Sequence, residues 1–150
     1  MKELMGLLAD NPLGEVIRGR DWTLPALQSL HILAIAALMS AVLLINLRAV
    51  GGLARDLSPT TLVANFRPWF RCSLAVLLGT GVLMIIAEPE RTLTNPWFGL
   101  KLLLVIAGSF GFGRQSRLAA ADLPLSRPLA IASLSGWLAV ICCGRWIAYT

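Results

Sequence analysis

The chain has a single histidine, His31, and it stands in an apolar stretch, QSLHILAIAALMSAVLLI (28–45). An imidazole among aliphatic side chains can ligate a metal or act as a hydrogen-bonding group, and the groups brought beside it decide which. Those of comparable chemistry are few. Gln28 lies about one turn before His31, and Met84 lies one turn before Glu88 at the end of a second apolar run. Lys101 interrupts a third run, and Cys142, Cys143, Arg145 and Trp146 close a fourth. Imidazole with thioether or thiolate suits haem iron or copper, so His31 with Met84 or Cys143 is a candidate metal-ligand set. His31, Lys101 and Arg145 could equally hold the head group of a quinone or lipid. The plainer readings are structural. Lys101 and Arg145 can snorkel to an interface or be neutralised by Glu88 or Glu90, and His31 can hydrogen bond Gln28 or a neighbouring helix.

The catalytic constellations are missing from the sequence. With one histidine and no carboxylate in the middle of an apolar run, there is no acid pair, no Ser/His/Asp set and no HExxH. GSFGFG (108–113) reads as the end of an apolar helix, not as a phosphate loop opening a helix after a strand. Cys72, Cys142 and Cys143 lie in apolar stretches without CxxC or zinc spacing. The expectation is a non-enzymatic protein.

The elements that must position these residues follow from composition. Hydrophobic residues make up 57% of the 150 and charged ones only 14%, against about a quarter in soluble domains. Four stretches suit the roughly 20 apolar residues that cross a bilayer, at about 24–47, 69–87, 96–113 and 128–148. Prolines 25, 68, 96 and 128 read as helix starts, where a missing backbone N–H costs least. The expected fold is therefore all-α: an integral membrane four-helix bundle, up-down-up-down, over residues 24–150. Ala34, Ala37, Ala41, Gly79 and Gly81 read as close packing faces. Residues 1–23, with a weak helical pattern broken by DNPLG, read as a short interfacial N-terminal segment, lying on the membrane or capping the bundle. Nothing in it has the form of a secretory signal.

Charge orients the bundle. The 48–71 and 114–127 segments carry Arg48, Arg55, Arg67, Arg71, Arg114, Arg117 and Arg127 against Asp56 and Asp122. At the opposite end Lys2, Arg18, Arg20, Arg91, Lys101 and Arg145 are balanced by Glu3, Asp10, Glu15, Asp21, Glu88 and Glu90. The positive-inside rule then places the arginine-rich end in the cytoplasm and both termini on the periplasmic side. Trp22, Trp97 and Trp146 form an aromatic belt on the outer side, with Trp69 on the inner. The net charge of +5 is spread between apolar runs, so nucleic acid is not an expected partner. His31, about 10 Å in from Leu24, then falls in a polar layer near the outer face, to which all four helices contribute.

NPLGEVIRGRDWTLPALQSLHILAIAALMSAVLLINLRAVG, RPWFRCSLAVLLGTGVLMIIAEPERTLTNPWFGLKLLLVIAG and LSGWLAVICCGRWIAY together resemble DUF6644, a family of small bacterial four-helix membrane proteins of unassigned function, from about Asn11 to Tyr149. More distantly, NPWFGLKLLL is similar to the opening of the third helix in CopD-type copper-resistance membrane proteins. The resemblance implies the bundle fold and placement in the bacterial inner membrane. Its motif residues fall here on His31, Arg48, Glu88, Asn95, Pro96, Lys101, Gly144, Arg145 and Trp146. The chain departs from the pattern at Gln28, where an acid is expected, at Asn46, where Asp is expected, and near Gln115, where no histidine stands.

The functional expectation is a small accessory subunit or ligand-binding module among membrane lipids, in contact with other membrane subunits or with copies of itself. Gln28, His31, Met84, Glu88, Lys101, Arg145 and Trp146 form the candidate binding residues. The alternative is a redox protein in which His31, with Met84 or Cys143, binds haem b or copper in an outer-side pocket, with a quinone as a further candidate ligand. Transport ranks last, because the middles of the four spans offer only Ser40, Thr80 and Ser109 as polar groups.

Overall fold

The computed structural model describes residues 11–51, 58–121, 123 and 126–149. Every regular element among them is helical: α1 Pro12–Arg18, α2 Thr23–Val50, α3 Pro59–Ala87, α4 Pro89–Leu93, α5 Pro96–Ala120 and α6 Arg127–Tyr149. Four of these, α2, α3, α5 and α6, are long and apolar enough to cross a membrane. In a bilayer a helix satisfies its own backbone groups where no water can, which is why such apolar runs fold this way.

The starts are set by local chemistry. Asn11, Ser58 and Asn95 accept hydrogen bonds from the first-turn N–H groups of Leu13, Thr61 and Trp97, at 2.9, 3.1 and 3.0 Å. In each case proline follows the cap and occupies the first helical position, where its missing N–H removes an otherwise unpaired donor. The Ser126 hydroxyl receives Leu129 N–H in the same way ahead of α6. α2 stops at Gly51, whose φ of 87° is left-handed and suited to glycine.

Two expectations are corrected by these ends. Pro68 does not open a helix, because Ser58 and Pro59 already start α3 and leave Pro68 inside it. GSFGFG does not end the third long helix, which continues through Arg114, Gln115 and Ser116 to Ala120. Within DNPLG, Asn11 and Pro12 start α1. That short helix docks on the end of α3. Gly14 and Ile17 are buried, a Cβ on Gly14 would come within 3.0 Å of the Ile86 carbonyl, and Arg18 donates to the Ala87 carbonyl at 2.9 Å. Residues 1–10, with Lys2, Glu3 and Asp10, and the loop residues Arg55, Asp56 and Asp122 lie outside the described residues.

α2 packs chiefly on α3 and also on α6, α5 packs chiefly on α6, and α3 meets α5 more sparingly. Pairings between residues far apart in sequence give the directions. His31 near the start of α2 meets Thr80 near the end of α3, and Thr60 near the start of α3 meets Ala119 near the end of α5. Neighbouring long helices therefore run antiparallel. An aromatic layer joins three of them. Phe70 stacks on Phe112 with centroids 3.7 Å apart and planes 4° from parallel, and Trp137 meets Phe70 edge-on at 5.8 Å. The edge-on contact is the one that aromatic quadrupoles favour; the close parallel stack joins α3 and α5 through its contact area. Around this layer Leu38, Val42, Ile45, Leu62, Val63 and Val140 complete the core.

One helical turn from that layer sits a buried polar knot. Gln115 Nε2 donates to Asn46 Oδ1 at 2.7 Å, while Asn46 Nδ2 donates to the Val42 carbonyl at 2.7 Å and reaches Ser133 Oγ at 3.4 Å. Asn46 is fully buried and Gln115 nearly so, and the three parent helices of the knot are α2, α5 and α6. Amides in an apolar bundle must find each other, so the knot fixes the register of these helices. A double-mutant cycle on Asn46→Leu and Gln115→Leu is expected to give a coupling energy of about 0.6–1.7 kcal/mol, the range measured for interhelical hydrogen bonds in membranes. Reversible unfolding in mixed detergent micelles measures it, and a coupling of zero would mean that the bond does not hold the helices together.

Candidate ligand-binding site

His31 is positioned from two sides. Thr80 Oγ1 donates back to the Val76 carbonyl at 2.7 Å, with Leu77 O at 3.2 Å. Mid-helix threonines commonly bond their own helix in this way. The same oxygen lies 2.7 Å from His31 Nδ1. When its single proton goes to these carbonyls, it accepts from the imidazole. A neutral imidazole then carries its proton on Nδ1 and a lone pair on Nε2. Gly81 makes room for the ring, since a Cβ there would lie 3.9 Å from His31 Cε1.

Lys101 reaches the same region from α5. Its Nζ would stand 3.5 Å from a Cβ on Gly144 of α6, so the ammonium lies over a bare stretch of that helix. Glu88 pairs with Arg91 at 3.3 Å, and among the described residues no carboxylate pairs with Lys101. His31 and Lys101 line one cavity of about 130 Å³, whose remaining wall is almost wholly apolar side chains from α2, α3, α5 and α6, with Trp137 and Phe98 among them. For scale, an apolar cavity of about 150 Å³ binds benzene. Leu78 and Val82 of α3 and Leu102 of α5 belong to this wall and are each about half exposed. The cavity therefore communicates with the lateral surface between α3 and α5. It offers an imidazole acceptor and an ammonium donor in a space the size of one ring.

The other sequence candidates stand apart from that wall. Glu88 turns to Arg91, and Arg145 stacks on Tyr149, with Cζ 4.5 Å from the ring centroid, while donating to its hydroxyl. Trp146 packs on Trp97 with centroids 5.6 Å apart, a pairing in keeping with an interfacial aromatic belt. Gln28 is exposed on α2, Met84 is half-buried on α3, and Cys143 is buried on α6. None of these lines the cavity. Cys72, Cys142 and Cys143 are free thiols. Among the described residues no group of three or more His, Cys, Asp or Glu side chains is placed to hold a metal ion.

Sequence reasoning missed Thr80 as the orienting partner of His31 and missed Trp137 and Phe98 as wall residues. Thr80 was recoverable, because two antiparallel helices bring the start of α2 level with the end of α3. Trp137 needed the three-dimensional contact. Its indole packs so tightly on α5 that a Cβ on Gly108 would lie 2.8 Å from Trp137 Cε2.

Four helices long and apolar enough to cross a membrane, around a polar-tipped apolar cavity, suggest a helical protein of the multi-pass membrane type. Within that class the chain belongs to DUF6644, a family of unknown function, which matches residues 21–150. No curated protein and no solved structure matches the chain.

Gly108→Ala should cost about 1–3 kcal/mol of stability, the usual range for overpacking a filled core. It should also shift the Trp137 component of the fluorescence. Gly111→Ala, on the same helix where a Cβ meets nothing within 4 Å, is the control and should be neutral. Equal behaviour of the two variants in a melting and emission comparison would show that the Gly108–Trp137 contact is not tight.

Proposed function

We propose that this chain is an inner-membrane protein, up-down-up-down with both termini periplasmic, that works as a non-enzymatic ligand-binding module, alone or as an accessory subunit. Its ligand is a membrane amphiphile whose single-ring head enters between α3 and α5. The observation that carries this reading is the convergence of His31 from α2 and Lys101 from α5 on one otherwise apolar cavity that reaches the lateral surface. Ionisable groups are costly at membrane depth and are kept where they meet a partner or a polar ligand. Haem b or copper at His31 would need a second ligand beside the imidazole. Neither Met84 nor Cys143 stands on the wall, and a one-ring volume suits a smaller group than a macrocycle.

The orientation rests on charge. Arg48, Arg67, Arg71, Arg114, Arg117 and Arg127 cluster at the Asn46 end, where the described residues include no carboxylate. Glu15, Asp21, Glu88 and Glu90 all lie at the His31 end. The arginine-rich end is the cytoplasmic one by the positive-inside rule. In a cysteine-free background, Thr150→Cys should react with a membrane-impermeant maleimide added to intact cells, and protection until the cells are broken would reverse the orientation.

Occupancy of the cavity is tested with dibromophenol, a heavy-atom quencher with a one-ring head. Detergent-purified protein should show saturable quenching of the fluorescence component that Trp137→Phe removes. His31→Ala or Lys101→Met should weaken the binding on the order of 10-fold, the usual worth of a hydrogen bond to a charged or buried group. Quenching that never saturates, or that ignores both substitutions, would sink the ligand-binding reading.

A further inference from the structure

The hydrogen-bonding pattern around His31 narrows the ligand class. Resting on the proposed ligand-binding role, we infer that the cavity selects the quinol form of a single-ring quinone over the oxidised form.

Thr80 Oγ1 lies 2.7 Å from the Val76 carbonyl of its own helix and 2.7 Å from His31 Nδ1; with its only proton on the helix carbonyl, its oxygen accepts the Nδ1–H of His31, the tautomer on which the inference is built. The imidazole therefore presents Nε2 as an acceptor, and Lys101 presents only donors. A ligand that satisfies both needs a hydroxyl donor and an oxygen acceptor on a head small enough for about 130 Å³. A ring hydroxyl meets this requirement: one O–H donates to Nε2 and the second ring oxygen accepts from Lys101 Nζ. The tail then leaves past Leu78, Val82 and Leu102, among the lipids.

The competing amphiphiles satisfy the pair less well. A fatty carboxylate accepts from Lys101 but brings no donor for Nε2, and a phosphodiester head likewise has acceptors only. In a quinone both ring oxygens are acceptors, so one of them faces the Nε2 lone pair. Relieving that clash means moving the imidazole proton to Nε2, and Nδ1 must then accept a hydrogen bond from the Thr80 hydroxyl. The threonine would give up its bond to Val76 to supply it. The 2.7 Å Thr80–Val76 bond thus acts through the histidine as a positioning element for redox-form selectivity.

The test is calorimetric titration under argon of the full chain in detergent, with decylubiquinol and decylubiquinone as probes. Wild type should bind the quinol on the order of 10-fold more tightly, a difference of one hydrogen bond made against one acceptor left facing another. Thr80→Val, which removes the constraint on the tautomer but leaves the ring and Lys101 in place, should bring the two affinities together. Lys101→Met should weaken both probes alike. Equal affinity for the two forms in wild type, or a quinol preference that survives Thr80→Val, would overturn the inference. If dibromophenol still saturates the Trp137 component in that case, the ligand-binding role stands with another ring-headed amphiphile. If neither probe nor dibromophenol binds, the role itself fails and the selectivity fails with it.

Discussion

The structure depends first on the fact that an amide inside a bilayer has no water to turn to. Asn46, Gln115 and Ser133 come from three different long helices, and only one rotation and one height of each helix lets them meet. Apolar packing alone would be far more permissive, since lipid tails solvate leucine as well as another leucine does. Once the knot sets the register, Phe70, Phe112 and Trp137 fall level with one another and close the bundle one turn away. Those rings in turn form a boundary: on α5 and α6 the knot residues Gln115 and Ser133 lie on one side of them and the rest of the cavity wall on the other.

Much of the architecture was legible because membrane composition is a blunt and reliable signal. Four long apolar runs, two of them opened by Ser58-Pro59 and Asn95-Pro96, announce four helices, and the fold contains them. The errors came from treating local helix breakers as decisive. Pro68 and the glycines of 108–113 look like boundaries, yet the helices run through them: Pro68 forgoes only the bond of its missing N–H, and the other bonds are kept because breaking them in an apolar setting has no solvent to compensate it. Truncating the third span at Gly113 also left Gln115 beyond the bundle, noted only as a place where no histidine stands and not as a buried partner of Asn46. Extending the helix by two turns reveals the spacing of Gly108, Phe112, Gln115 and Ala119, which share one face. The polar core of the protein was hidden by a boundary, not by an absence of signal.

The site was legible in part for a related reason. Antiparallel helices of known order bring His31, Lys101 and the closing GRW segment to one end, and sequence reasoning collected the right neighbourhood. It could not sort that neighbourhood, because at an interface a charged side chain has several outlets. Arg145 turns to Tyr149, Glu88 to Arg91, and Trp146 to Trp97, each with a partner at the rim. His31 and Lys101 differ in sitting opposite glycines, Gly81 and Gly144, which carry nothing to fill the space beside them. Side-chain direction and the absence of a Cβ on a facing helix are three-dimensional facts that one-dimensional spacing does not encode.

The contrast between the two polar centres follows from what surrounds them. In the Asn46 knot the amides are buried, and their N–H groups donate within the protein, to Asn46 Oδ1, the Val42 carbonyl and Ser133 Oγ. At the other centre α3 and α5 make little contact, and the wall between them is built of side chains that are half outside the bundle. The imidazole there has one nitrogen committed to Thr80 and the other directed by no protein group among the described residues. Ionisable side chains are costly at membrane depth and are kept where they meet a partner or a polar ligand. One fixed nitrogen and one open one is the arrangement in which a side chain is oriented by the protein and addressed to something else.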